Sequence, residues 1–161
     1  MFSSGYWNNS FNNTISFQQI HESRSTKKPN ASLVQRLEKV SVFANTSDFI
    51  KKWGYKSLNY GLDLQHNIVE STSSEGARTR YADGGSELSS LAVYSQYKHP
   101  FGKRSFFSGG LRYNMSSLEA KFIDIQNYNF PFEEISLDNS ALTTSAGLFI
   151  GMKKGWEGRL S

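Results

Sequence analysis

The chain has 161 residues with a formal net charge of +4, and its 18 Lys and Arg form no run longer than a pair. That scatter argues against a nucleic-acid surface, which needs clustered positive charge. Cysteine is absent, which excludes disulfide scaffolds, thiol catalysis and Cys-based zinc sites while leaving the compartment open.

Aromatic residues make up 14 % of the chain, with 13 Gly and only 3 Pro. Together with abundant Ser and Asn, this points to strands joined by polar turns. No segment approaches the ~18 consecutive apolar residues of a transmembrane helix. The opening Met1–Trp7 has neither a positive region nor a continuous apolar stretch, so no signal peptide is visible.

In chain order, Asn13 to Glu22 reads as a weak strand: Ile15 and Phe17 alternate, but Ile20 falls out of phase. From Ser32 to Val42, Leu33, Val34, Leu37, Val40 and Ser41 could line a short helical face. Val40-Ser41-Val42 then turns to alternation, so the stretch reads as the approach to a strand. Ser57 to Val69 is the clearest two-sided segment. Leu58, Tyr60, Leu62, Leu64, His66 and Ile68 share one face, and Asn59, Asp63, Gln65 and Asn67 the other. It exceeds the usual length of a globular strand. Ser90 to Lys98 follows, with Leu91, Val93 and Tyr97 on one side. Phe106 to Phe122 comes next, with Phe107, Leu111, Tyr113 and Met115 opposite Ser108, Arg112, Asn114 and Ser116. Ser140 to Met152 sets Leu142, Ala146, Leu148 and Ile150 against Thr143, Ser145 and Gly147, and a further strand opens at Trp156.

The connections alternate in length. Lys51–Lys56, His99–Arg104 and Lys153–Gly155 are short; Glu22–Ser32, Glu70–Leu88 and Asp124–Asn139 are long and polar. Long strands with short turns at one rim and long loops at the other describe a transmembrane barrel, one face on lipid and one on a polar lumen. Trp53, Tyr55, Tyr97, Phe101, Phe106 and Trp156 fit an interfacial girdle at the short-turn rim. A soluble β-sandwich or lipocalin-like barrel explains the alternation equally well. It explains less well the strand length, the short/long rhythm and the inward Arg112, Asp63 and Gln65.

Several segments resemble TonB-dependent outer-membrane receptors, in a Bacteroidetes-type branch. Leu58-Asn59-Tyr60-Gly61-Leu62-Asp63-Leu64-Gln65-His66-Asn67 is similar to an aromatic-Gly-Leu-Asp barrel strand of that family that runs into an Asn-rich loop entry. Arg80-Tyr81-Ala82-Asp83-Gly84-Gly85-Ser86 resembles its Arg-Tyr-Pro-Asp-Gly-Ser loop, with Ala82 in place of Pro, and Leu91–Tyr97 resembles the strand after it. Gly109-Gly110-Leu111-Arg112-Tyr113-Asn114 resembles a recurrent Gly-Leu-Arg-Tyr-Asn strand. Phe130-Pro131-Phe132, Ala141-Leu142-Thr143 and Gly147-Leu148 continue in the family's order, and Gln18–Arg24 resembles an upstream strand-to-loop segment. The resemblance spans residues 14 to 160.

It implies a barrel of 22 strands, as in that family, with an N-terminal plug and TonB-energised uptake of a scarce ligand such as an iron chelate (siderophore), haem or cobalamin. The expected location is the cell outer membrane. The expected partners are outer-membrane lipid, TonB, an extracellular small ligand, and the plug and remaining barrel strands, with no nucleic acid. A TonB box, plug and barrel-closing strand are not recognisable. Residues 1–161 are therefore expected to be a fragment: a partial barrel of about seven strands, an all-β antiparallel up-and-down meander in a transmembrane wall. The alternative is a soluble β-sandwich ligand-binding module.

No catalytic, cofactor or metal site is expected, and no enzyme. His21, His66 and His99 share no ligand spacing. Gly109-Gly110 sits in a strand with no helix after it, so it is no phosphate cradle. Asp83-Gly84-Gly85 lacks the acidic spacing of a calcium loop and reads as a turn. Asp63, Glu119 and Asp124 would have to face one another across a cleft to act as glycosidase carboxylates. Arg24 with Lys27-Lys28 could meet anionic lipopolysaccharide or an anionic chelate, although a solvated loop is the plainer reading.

Overall fold

The computed structural model describes residues 7–27, 29, 32–101, 104–151 and 157–160. They form one sheet of seven antiparallel strands in chain order: β1 (Trp7–Thr26), β2 (Val34–Trp53), β3 (Lys56–Ser73), β4 (Ser86–Phe101), β5 (Ser105–Lys121), β6 (Glu134–Gly151) and β7 (Glu157–Leu160). The fold is the all-β up-and-down meander that the alternation predicts. A short 3-10 turn (Ser74–Gly76) and a one-turn helix α1 (Ile125–Tyr128) are the only helical pieces among the described residues. Neither is long and apolar enough to cross a membrane.

The first six strands run for 16 to 20 residues. A tilted transmembrane strand needs only about 9–11. The strands are therefore longer than one crossing requires. Register is uniform: Trp53 faces Lys56, Ser57 faces Lys98, and each ladder proceeds residue by residue without a bulge among the described pairs. The β2–β3 connection is only Gly54-Tyr55, with Gly54 at φ +59°. A glycine at the first position of a two-residue loop matches the twist of the flanking strands.

Alternation sorts the side chains onto two unlike faces. One carries Phe11, Ile15 and Phe17 of β1, then Leu58–Leu64, Leu91, Val93, Leu111–Met115, Leu142 and Leu148 at alternate positions. No second layer covers this face among the described residues; Leu111 is 54 % exposed and Leu142 66 %. The other face is polar. It holds Glu38, Ser71 and Ala92, which are three of the four buried residues described. The apolar face is thus the outer one and the polar face the inner.

Several boundaries differ from the sequence reading. Strand β2 continues from Val42 to Trp53, a stretch whose alternation is blurred because Asn45 and Ser47 stand on the outer face. They are satisfied locally: Asn13 Nδ2 donates to Ser47 Oγ at 2.7 Å, and Asn45 Nδ2 donates to the Thr14 carbonyl at 3.4 Å. Ile20 is out of phase because it stands on the inner face, opposite Val40, which in turn faces Val69. Phe106 is on the inner face against Phe149, with centroids 5.1 Å apart, so its neighbour Phe107 takes the outer position. Trp53 and Tyr97 stack at 6.0 Å on the outer face, as a girdle requires. Trp156, the turn at Lys153–Gly155 and Met152 lie outside the described residues. The long connections are shorter than expected, since β3 runs to Ser73 and β6 begins at Glu134.

Gly61 permits a contact across two strands. It lies between Asp48 and Tyr94 in the cross-strand row, and the Tyr94 hydroxyl passes over it to donate to Asp48 Oδ1. A Cβ at Gly61 would collide with that hydroxyl and with the Ser47 carbonyl oxygen. Gly61→Val is expected to destabilise by about 1–3 kcal/mol through overpacking. Denaturant unfolding would read this, and Tyr94→Phe at wild-type Gly61 should cost less.

Candidate functional site

The inner face and the long-loop rim carry the polar chemistry. In mid-wall, Arg112 of β5 reaches across β4 to Asp63 of β3, with Nη1 to Oδ2 at 2.7 Å. It crosses where Ala92, 5 % exposed, stands beside Asp63 in the cross-strand register and leaves room. The same guanidinium donates through Nε to Asn114 Oδ1 at 2.8 Å and lies 5.4 Å from the Tyr94 ring centroid. Tyr94 in turn holds Asp48. The network links β2 to β5 with two carboxylates and one guanidinium. Both Arg112 and Asp63 are part-exposed, so the pair itself contributes only about 0–1 kcal/mol. It offers a hydrogen-bonding surface to whatever fills the interior.

Nearer the loops, Glu22 and Glu38 sit directly opposite each other on β1 and β2, where like charges repel. Arg80, from the β3–β4 loop, lies between them, with Nη1 at 3.5 Å from Glu22 and 3.6 Å from Glu38. Arg24 also donates to Glu22. The loop is held a second time where Arg36 Nε donates to the Arg78 carbonyl at 2.8 Å.

The two loops are stitched to each other. Asp83 accepts the backbone N–H of Ile123 at 2.8 Å and of Asp124 at 3.0 Å, and Gly84 N–H donates to the Lys121 carbonyl at 2.9 Å. The Tyr128 hydroxyl meets Thr79 and donates to the Tyr81 carbonyl at 3.2 Å. Phe122 packs edge-on against Tyr128, Phe130 and Phe132, while Phe130 and Phe132 stack at 5.1 Å on either side of Pro131.

The sequence candidates are dispersed. His21 and His66 stand on the outer face, His66 with Nδ1 2.9 Å from Ser89 Oγ. His99 is near the opposite rim, with Nδ1 2.9 Å from the Tyr97 hydroxyl. Asp63 is on the inner face, Glu119 on the outer, and Asp124 in a loop, so the three carboxylates share no cleft. Asp83-Gly84-Gly85 is a turn, with Gly85 at φ +93°, and Asp83 is spent on the two amides. Gly109-Gly110 lies within β5. Of the basic loop, Arg24 is paired with Glu22, and Lys28 is outside the described residues. No group of three potential metal ligands occurs among the described residues. Sequence reasoning missed Asp48, Tyr94, Glu22, Glu38 and Arg80. Inner-face parity was the one available signal for the first four.

No protein-family model matches the chain, and no curated sequence does. Solved structures do match. One, titled "Copper transporter OprC", superposes with a TM-score of 0.73 at 12 % identity, over 89 % of this chain and 25 % of that one. The likeness is one of fold, and this chain spans about a quarter of that protein's length (25 %).

The Arg80 contact predicts a pH response. The hydrogen bond from Arg24 is the main cause that holds the Glu22 carboxyl below its ordinary 4.5, with the charges of Arg24 and Arg80 adding to it and desolvation opposing. A lowered folded value means stabilisation that is complete above the ordinary carboxylate range and lost as pH falls through the lowered value. Glu22 lies beyond Phe17, outside the apolar band. Amide-exchange protection of residues 74–85, corrected for intrinsic rates, should fall between about pH 5 and pH 3. At neutral pH, Arg80→Ala should lower protection there by about 1–3 kcal/mol, because Glu38, 7 % exposed, then loses its ion pair with Arg80. Unchanged protection in both experiments would refute a role for Arg80 in holding the loop to Glu22 and Glu38.

Proposed function

We propose that this sheet is part of the wall of an outer-membrane, TonB-dependent receptor that imports a scarce ligand: an iron chelate, haem, cobalamin or another metal complex. One observation carries the reading. The apolar face of a single long-stranded sheet is uncovered, while the opposite face is polar and hydrogen-bonded. Such a face is stable against lipid, and large exposed apolar patches are rare on soluble monomers.

The short/long rhythm of the connections, the family resemblance of the segments and the fold likeness to a copper transporter support the same reading. A soluble β-sandwich needs a second sheet over the Leu58–Leu64 row, and among the described residues there is none. Among the described residues β1 and β7 end the sheet without pairing to each other, and in this reading further strands close the barrel. In this proposal those strands and a plug complete the receptor, TonB supplies the energy, and the long loops meet the ligand outside the cell. The wall orients and encloses; it performs no covalent chemistry.

Leu142→Arg, on the outer face, should reduce the folded, membrane-inserted fraction by the equivalent of about 2–4 kcal/mol if that position lies near the midplane. Thr143→Arg, one residue along and facing inward, should insert normally. Uptake of a radiolabelled metal chelate by the completed receptor should also require TonB. Recovery of the protein as a detergent-free monomer, with both variants behaving alike, would defeat the proposal.

A further inference from the structure

Positive charge gathers at the short-turn rim. Residues 51–56, 98–104 and 153–159 hold three Lys or Arg each, nine of the chain's 18, and only one of its 14 Asp and Glu, Glu157. Every other carboxylate lies in mid-wall or toward the long loops. Lys103, Lys153 and Lys154 fall outside the described residues.

The described cations divide between the two faces. On the outer face, Lys51 stands two residues before Trp53 on β2, and Lys56 is directly opposite Trp53. Trp53 stacks on Tyr97, and Tyr55, at the tip of the same turn, is 92 % exposed. On the inner face, Lys98 Nζ lies 4.0 Å over the Phe106 ring and Arg159 5.5 Å over Phe149, with Lys52 along the same rim. Among the described residues, no carboxylate pairs with Lys52, Lys56, Lys98 or Arg104. The first carboxylates met on the inner face beyond this rim are Asp48 and Asp63, which are held by Tyr94 and Arg112.

Like charges gathered at one rim repel, and an anion from outside the wall relieves that repulsion. The outward lysines limit which anion. They flank an aromatic girdle, and such rings sit at the level of the lipid head groups. The β2–β3 connection projects only two residues beyond its ladder, so Lys51 and Lys56 address the bilayer before any soluble partner. The inner-face cations add to the same field, because the wall is one sheet thick and the screening length is about 8–10 Å.

On the membrane reading given above, the short turns face the periplasm, where the leaflet is phospholipid. We propose that the outer face of the β2–β3 hairpin at this rim binds an anionic phospholipid. Its phosphate lies between the Lys51 and Lys56 ammonium groups, and its glycerol and upper acyl chains rest on Trp53 and Tyr97. A head group carrying its own ammonium is disfavoured, because it brings a further cation into a cationic field.

The test uses the receptor purified from its own membrane and reconstituted in nanodiscs of mixed phosphatidylglycerol and phosphatidylethanolamine. Native mass spectrometry is expected to find phosphatidylglycerol retained in excess of its share of the bilayer. Lys51→Gln with Lys56→Gln should reduce that excess by about three- to fivefold for each lysine, the usual effect of one basic residue at an anionic surface. Lys39→Gln, near the opposite rim, should leave it unchanged. If the paired variant does not assemble, salt gives the same reading on the wild type. Raising ionic strength from about 0.01 M to about 1 M cuts the screening length from about 30 Å to about 3 Å and should remove the excess. No excess in the wild type, or an excess that survives both the glutamines and the salt, overturns the site. So does loss of a crosslinked periplasmic protein in the glutamine variant with lipid retention unchanged, which assigns the rim to a protein partner. A nitroxide at Leu142→Cys, in a chain without native cysteine, separates this site from the wall itself. Lipid exposure of that label without a phosphatidylglycerol excess removes the site and leaves the wall standing; water exposure removes both.

Discussion

Inside hydrocarbon there is no water to satisfy a peptide group, so each backbone donor and acceptor must find a partner on a neighbouring strand. That requirement explains the long ladders with continuous pairing and the short turns at one rim. It also makes side-chain chemistry a matter of parity. With the ladder fixed, every residue faces either lipid or the interior, and the sequence has to alternate accordingly.

The polar contents of the two faces follow from the same rule. On the outer face, Asn13, Asn45 and Ser47 are tolerable because they bond to one another and to backbone. On the inner face polar groups are more numerous, and contacts reach across whole strands. Tyr94 spans Gly61, and Arg112 passes Ala92. Both long reaches cross a strand where the side chain is smallest. Near the loops the inner wall gathers charge, with Arg80 between two opposed glutamates. A loop segment thereby becomes part of the wall's electrostatics.

Much of this architecture is legible in the sequence, and the parts that are not have identifiable causes. The row Leu58, Tyr60, Leu62, Leu64 declares its strand because every second residue is apolar and the intervening ones are not. The second half of β2 does not, since Asn45 and Ser47 interrupt its outer face and Ala44 and Ile50 lie on its inner one. The loops look longer in sequence than they are because Glu70–Ser73 is polar on both faces, and because β6 opens with polar Glu134, Ser136 and Asp138 outside and apolar Ile135 and Leu137 inside, the reverse of the rest of the strand. The site was harder still. Asp63 and Arg112 are visible as inward residues, but their pairing over 49 positions is not, and neither is the placement of Arg80 from a loop. Phe106 and Phe107 adjoin in sequence and part in space, and only the register decides which one meets the membrane.

The unbroken register has an evolutionary corollary. A bulge would absorb a lost or gained residue locally, and these ladders contain none among the described pairs. Deleting one residue within β3 would turn Leu62 and Leu64 toward the interior and present Asp63 and Gln65 to the acyl chains. Descendants of this wall can therefore change strand length freely only in steps of two, while single-residue changes are confined to the connections.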